Sequence, residues 1–274
     1  MQATSEVTSL SDIVLHHREL LVNPLFWTSR HLDALGCRFR HIDNATTKET
    51  CDGHRASQRT NDNHTSSGKK WMRMSDAEML ATSAVPSVKY HILCRFLLHE
   101  GSVFNKRTKG PHFLFAGRPV HRPQYTVFYR RHQHSPSGQD FQPLLGYLDY
   151  LDVTSFRVRN RGYSTESTHS FAKGSSHIAP NEWTDDPYFM CVLLSIAQLQ
   201  ERLARNSSPT SHTSRLLVVN RDDHDFIYLY EGRFTSQFLT MLDRPLTATS
   251  CPKVSAIHRR KIPFKPFEDL QERI

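Results

Sequence analysis

No stretch of this chain approaches the ~20 consecutive apolar residues that a membrane helix needs. The first residues, Met1–Asp12, are polar and lack the apolar centre of a secretion signal. The expectation is a cytoplasmic or nuclear protein with no membrane partner, in which the Asn-x-Ser/Thr triplets at Asn44, Asn63 and Asn206 serve no glycosylation. Cysteine is scarce, odd in number and scattered, at Cys37, Cys51, Cys94, Cys191 and Cys251. That excludes a disulfide framework and points to reduced thiols, since Cys94 and Cys191 sit inside apolar helical patterns. Apolar residues are also few: 38% of the chain, below the roughly 45–50% of ordinary globular domains. The shortage is local. Asn44–Lys70 has almost no large apolar residue and is expected to be disordered, whereas Pro187–Leu199 is nearly continuous in apolar residues and must be buried.

Acidic residues are missing from one region altogether. Gly101–Gln139 contains no Asp or Glu, and Gly101–Pro180 carries 11 Lys and Arg against 4 Asp and Glu. Asn181–Ile274 has 12 of each and is neutral, so the net charge of +8 is concentrated in the middle of the chain. The signatures of common catalytic sites are absent too: there is no Gly-x-Ser-x-Gly, Gly-rich phosphate loop, His-Glu-x-x-His or kinase motif. No cofactor is implied, and the chain reads as a non-catalytic interaction or binding protein.

Local signals outline the elements that are present. Ser11 or Asp12 can start a short helix through Leu21, and another is predicted over Thr28–Leu35, stopped by Gly36. Ser75 with Glu78 forms a capping-box pattern ahead of a helix, and Ser87–Glu100 has apolar residues at helical spacing. Between Phe104 and Arg159, short aromatic or β-branched runs at Phe113–Phe115, Tyr125–Tyr129, Leu144–Leu148 and Phe156–Val158 are separated by turn residues and predict strands. Asn160–Ile178 is a Ser/Thr-rich linker. Asp186 and Pro187 suit the start of a helix running to about Arg205. Strands Leu216–Val219 and Phe226–Tyr230 follow, joined by a polar hairpin; in the second, Phe226, Tyr228 and Tyr230 share one face and Ile227 and Leu229 the other, so both faces are expected to be covered. Then come a helix at Thr235–Leu242, a strand at Val254–Ile262 and a terminal helix at Pro263–Ile274. The predicted class is α+β: a small antiparallel sheet packed with helices, after a partly disordered N-terminal third. The expected segments are 1–74 (helical fragments and the polar stretch), 75–180 (two helices, the basic β-rich segment and the linker) and 181–274 (a compact α-β-β-α-β-α unit).

The strings DDPYFMCVLLSIAQLQ, RLLVVNRDDHDFIYLYEGRFTSQFLTMLDRP and KIPFKPFEDLQERI together resemble a recurrent domain of uncharacterised filamentous-fungal proteins. The resemblance covers about the last third of the chain and implies no activity and no site residues.

Three constellations carry candidate chemistry. Lys106, Arg107, Lys109, Arg118, Arg122, Arg130 and Arg131 alternate with Phe104, Phe113, Phe115, Tyr125, Phe128 and Tyr129. Cations neutralise phosphates and aromatic faces stack on bases, so nucleic acid or another polyanion is the alternative partner. The same alternation arises when aromatics form a sheet's core and arginines its wet face. Cys37 and His41, followed by Cys51 and His54, supply soft and imidazole ligands of the kind that hold zinc, although the spacing is not that of a common finger. Asp222, Asp223, Asp225 and Glu231 lie on and between two strands, as carboxylates do in metal-dependent nucleases. The expected carboxylate-x-Lys is replaced by Glu231-Gly232-Arg233, and the three aspartates are also ordinary hairpin-turn residues. His224 lies among these acids, in the same turn.

Overall fold

Helix-start chemistry sets most helix boundaries. In the computed structural model, which describes residues 21–42, 74–130, 143–161, 180–204, 210–247 and 256–274, helix α1 (Ser29–Ala34) is followed by Gly36 at φ +66°, a conformation open to glycine. Helix α2 (Asp76–Thr82) starts at Ser75, whose hydroxyl accepts the Glu78 N–H. Helix α3 (Pro86–Leu97) opens on a proline, where the missing N–H has no intrahelical acceptor to lose. Helix α4 (Tyr150–Arg161) and helix α5 (Tyr188–Leu203) come next. Helix α6 (Ser236–Asp243) is capped by Thr235, whose hydroxyl accepts the Phe238 N–H, and α7 (Leu270–Arg273) is a single turn. The N-terminal helix expected near residue 12, the polar stretch Asn44–Lys70 and most of the 160–178 linker lie outside the described residues.

The strands are β1 (Phe39–His41), β2 (Phe104–Arg107), β3 (Phe113–Phe115), β4 (Arg118–His121), β5 (Thr126–Arg130), β6 (Pro143–Asp149), β7 (Ser211–Val219), β8 (Phe226–Thr235) and β9 (Ile257–Pro263). Seven join one sheet in the order β1-β9-β8-β7-β6-β5-β2, and β3–β4 form a separate hairpin. This corrects the expectation of a small antiparallel sheet. The sheet is large and mixed, with β6 parallel to β7 and β1 parallel to β9. Parallel neighbours need a long crossover, here the chain from α4 through α5, and no periodicity in a strand announces its partner. The sheet therefore draws strands from all three expected segments.

Two further expectations change. Phe156–Val158, expected as a strand, lies in α4, because Tyr150, Val153 and Arg157 recur at helical spacing and are buried. The terminal helix shrinks from Pro263–Ile274 to Leu270–Arg273. By contrast, β8 keeps its predicted two-sided character. Phe226, Tyr228 and Tyr230 face one core, while Ile227 and Leu229 face the other.

Helices cover both faces of the sheet. On one, α5 buries Tyr188–Ala197 against β5–β8, with α1, α6 and the β3–β4 hairpin around it. On the other, α2, α3 and α7 pack against Phe128, Leu145, Leu217, Ile227 and Ile262. Gly146 lets α5 approach β6 closely, since a Cβ there would meet Leu216, Ile196 and Tyr125 carbons at 3.0–3.2 Å.

A buried ion pair joins the crossover helices. Asp186 is fully buried, and both its oxygens bond Arg157 of α4, at 2.5 and 2.8 Å. The same carboxylate accepts Tyr150 Oη at 2.8 Å and the Tyr188 N–H at 2.9 Å, and Arg157 Nε donates to the Leu25 carbonyl. Asp186 thus aids the start of α5, as expected, while its main partner is a distant arginine. Arg157→Ala should lower stability by about 3–5 kcal/mol in urea denaturation, because it strands a buried carboxylate. A loss below about 1 kcal/mol would show that the pair does not join the helices in solution.

His121 of β4 lies 3.0 Å from Tyr188 Oη, and burial, with His112 nearby, pushes its pKa from 6.5 down to about 4. Below pH 6.5 the unfolded chain takes up a proton that the folded protein refuses until about pH 4. Stability should therefore fall across that window, by on the order of 3 kcal/mol for this group. His121→Gln should flatten the pH dependence of the melting temperature between those limits, and an unchanged slope would refute the assignment.

Candidate functional site

The carboxyl ends of the parallel pair β6 and β7 gather polar residues of several elements. Asp149 ends β6 beside Val219 at the end of β7. The antiparallel neighbours bring the start of β5, the β7–β8 turn and the end of β9 to the same edge. In open sheets with helices on both faces, ligands bind at such an edge. Here it holds a cleft of about 800 Å³, and a second cavity of about 300 Å³ also draws on the first turns of α4.

The cleft has an aromatic wall and a polar rim. Trp183 meets Tyr228 edge-on at 4.9 Å and Tyr150 at 5.3 Å, and Phe226 extends the wall. The Lys261 ammonium lies over the Phe226 ring at 5.1 Å and near that of Tyr228 at 6.0 Å. Burial and the hydrogen bond to Asp223 raise the Tyr228 pKa, so its phenol stays protonated and donates. The rim is the β7–β8 turn, Asn220–Asp225.

That turn explains the aspartates. Asp223 Oδ1 accepts the N–H groups of Asp225 and Phe226 at 3.0 and 2.9 Å, and its Oδ2 accepts Tyr228 Oη at 2.9 Å. Asn220 Oδ1 accepts the Asp222 N–H, and Asp222 pairs with Arg221. Glu231 faces Arg215 across the strands, Nε to carboxylate 2.6 Å. His224 Nδ1–H donates to the Ala81 carbonyl at 3.0 Å. The carboxylates of Asp222, Asp223 and Glu231 are thus spent on turn geometry and ion pairing. Among the described residues no three His, Cys, Asp or Glu side chains converge to hold a metal ion.

The other sequence candidates are dispersed. Phe113, Tyr125, Phe128 and Tyr129 are buried in the core and offer no stacking surface, while Phe104 and Phe115 are half-buried against it. Lys106 donates to Tyr90 Oη and lies near Cys94 Sγ of α3, while Arg107 lies over the Tyr129 ring on the other face. Arg122 donates to the Gly110 carbonyl. Lys109, Arg118 and Arg130 are exposed, and Arg131 lies outside the described residues. Of the zinc candidates, Cys37 is buried in the core and His41 bonds the Arg259 carbonyl from the edge strand β1. Cys51 and His54 lie outside the described residues. Cys94 and Cys191 are buried thiols, as their helical setting implied.

Sequence reading missed Asp149, Tyr150, Trp183 and Lys261. A buried Asp closing an apolar strand was the one available signal. No protein-family model matches the chain, and no curated protein matches it.

Asp223→Ala removes three hydrogen bonds from a half-buried turn, so a loss of about 2 kcal/mol in thermal denaturation is expected. Mg²⁺ or Mn²⁺ should leave the melting temperature of the unaltered protein unchanged. A metal-dependent rise abolished by Asp223→Ala would show a cation site in this turn.

Proposed function

We propose that this is a non-catalytic binding protein that takes a small, flat organic molecule into the cleft at the carboxyl ends of β6 and β7. The cleft carries this reading: about 800 Å³, walled by Tyr150, Trp183, Phe226 and Tyr228 and rimmed by the Asn220–Asp225 turn. Small-molecule sites have this size, and they combine apolar walls with a few oriented polar groups. The rim holds both signs of charge, with Arg221 and Lys261 opposite Asp222 and Asp225, which suits a ligand of little net charge. Binding is favoured over chemistry because Asp223 is saturated and His224 is held by a backbone carbonyl.

Benzamide and nicotinamide are suitable flat probes, followed by saturation-transfer NMR at millimolar concentration. Both should give signals that weaken ~10-fold in Trp183→Ala, as expected for the loss of one stacking wall. Thr154→Trp, which places bulk in the cleft from α4, should abolish them without lowering the melting temperature. Signals indifferent to Thr154→Trp, or no signals at all, would overturn the reading.

A further inference from the structure

The second cavity, about 300 Å³, lies over the end of β6, whose Tyr147 and Asp149 line it and each keep one buried polar atom with no hydrogen-bond partner among the described residues. Tyr147 and Asp149 alternate along β6, so both project toward the α3 face. Each is 4% exposed, and both line the cavity. Asp149 Oδ1 accepts the Leu151 N–H at 2.9 Å, but Asp149 Oδ2 and Tyr147 Oη have no hydrogen-bond partner among the described residues. Such groups are costly in a protein interior, and when they line a cavity their missing partner is a ligand or water.

The neighbouring cations do not fill the gap. Lys89 is buried and does not line the cavity. Its ammonium donates to the Ala81 carbonyl at 3.4 Å, at the C-terminal turn of α2; it attracts Asp149 electrostatically but forms no hydrogen bond or close ion pair with it. Lys106 is engaged by Tyr90 Oη and Cys94 Sγ. Arg159 lies over the Phe156 ring at 5.9 Å. Asp152 is exposed at the rim and adds a second negative charge. Tyr90, Tyr125 and Phe156 form aromatic walls, and Thr126 and Gln124 add polar ones.

We propose that this cavity is a binding site for a primary ammonium group, held by Asp149 Oδ2 and Tyr147 Oη. An ammonium has three donors for these acceptors and a charge that offsets the buried carboxylate, and aromatic walls favour cations. An alcohol of the same shape has one donor and no charge. The volume limits the ligand to a short chain behind the nitrogen. Burial raises the pKa of Asp149 against the pull of Lys89 and Arg221, and burial together with Asp149 and Asp152 raises that of Tyr147. The inference does not rest on the reading of the larger cleft, whose walls are different side chains.

Propylammonium chloride tests it on the full chain, against 1-propanol and sodium chloride at matched concentrations. Propylammonium should raise the melting temperature and shift NMR signals of residues around the cavity, and the two controls should not. Asp149→Asn keeps the Leu151 contact but removes the charge, and should weaken binding ~10–100-fold in the NMR titration. Tyr147→Phe removes a hydroxyl with no hydrogen-bond partner among the described residues. It should weaken binding ~3–10-fold while leaving the melting temperature of the free protein unchanged or higher. That combination separates a ligand contact from a structural one and holds even if Asp149→Asn does not fold. Equal shifts from 1-propanol, no response to propylammonium, or unaltered binding in Tyr147→Phe would overturn the proposal.

Discussion

The pair Arg157–Asp186 is the constraint on which the arrangement of the central sheet depends. A parallel β6–β7 pair requires the chain to leave the sheet, cross it and return, and α4 and α5 are the means of doing so. Apolar contact between the two helices, such as that of Tyr150 with Phe189 at 5.9 Å, is non-directional and does not alone fix how they meet. A bidentate guanidinium–carboxylate contact does, because it tolerates little rotation or translation. Asp186 satisfies Tyr150 Oη, two guanidinium nitrogens and the Tyr188 N–H, and Arg157 reaches on to the Leu25 carbonyl. One carboxylate therefore ties the end of β6, the helix after it, the start of α5 and the N-terminal segment.

The position of the cleft follows. Tyr150 is held by Asp186 through its hydroxyl and offers its ring to Trp183, which meets Tyr228 in turn. Arg259 adds a second tie near that wall, bonding the Thr184 hydroxyl and the Asp185 carboxylate. The aromatic wall is thus built on strands and on helix starts that are internally bonded, while its polar rim is a turn braced by Asp223. The smaller cavity contrasts with this. There the end of β6 places Tyr147 and Asp149 beside a space in which one polar atom of each has no hydrogen-bond partner among the described residues.

Much of the fold was legible residue by residue. Ser75 and Thr235 mark helix starts because capping depends on neighbours a few positions away. The β7–β8 hairpin was legible from its turn residues, and the two-sided burial of β8 from its alternation. Phe156–Val158 misled because three apolar or β-branched residues fit either period, and only the wider spacing of Tyr150, Val153 and Arg157 reveals a helix. The basic, aromatic segment shows the same limit. Its composition fits a polyanion-binding face and a sheet edge equally well, and burial of Phe113, Tyr125, Phe128 and Tyr129 assigns the aromatics to the core.

The sequence by itself determined the helix starts, the hairpin turn, the burial of α5 and the regional separation of charge. Each of these rests on contacts or composition within a short span. Only the tertiary structure decided that strands from the whole chain share one mixed sheet and that Asp186 answers to Arg157. It alone brought Tyr150, Trp183, Phe226 and Tyr228 to one wall, and left Tyr147 Oη and Asp149 Oδ2 buried with no hydrogen-bond partner among the described residues. These depend on which distant residues meet, and pairing between distant residues is set by the summed packing of both sheet faces, which no local pattern encodes.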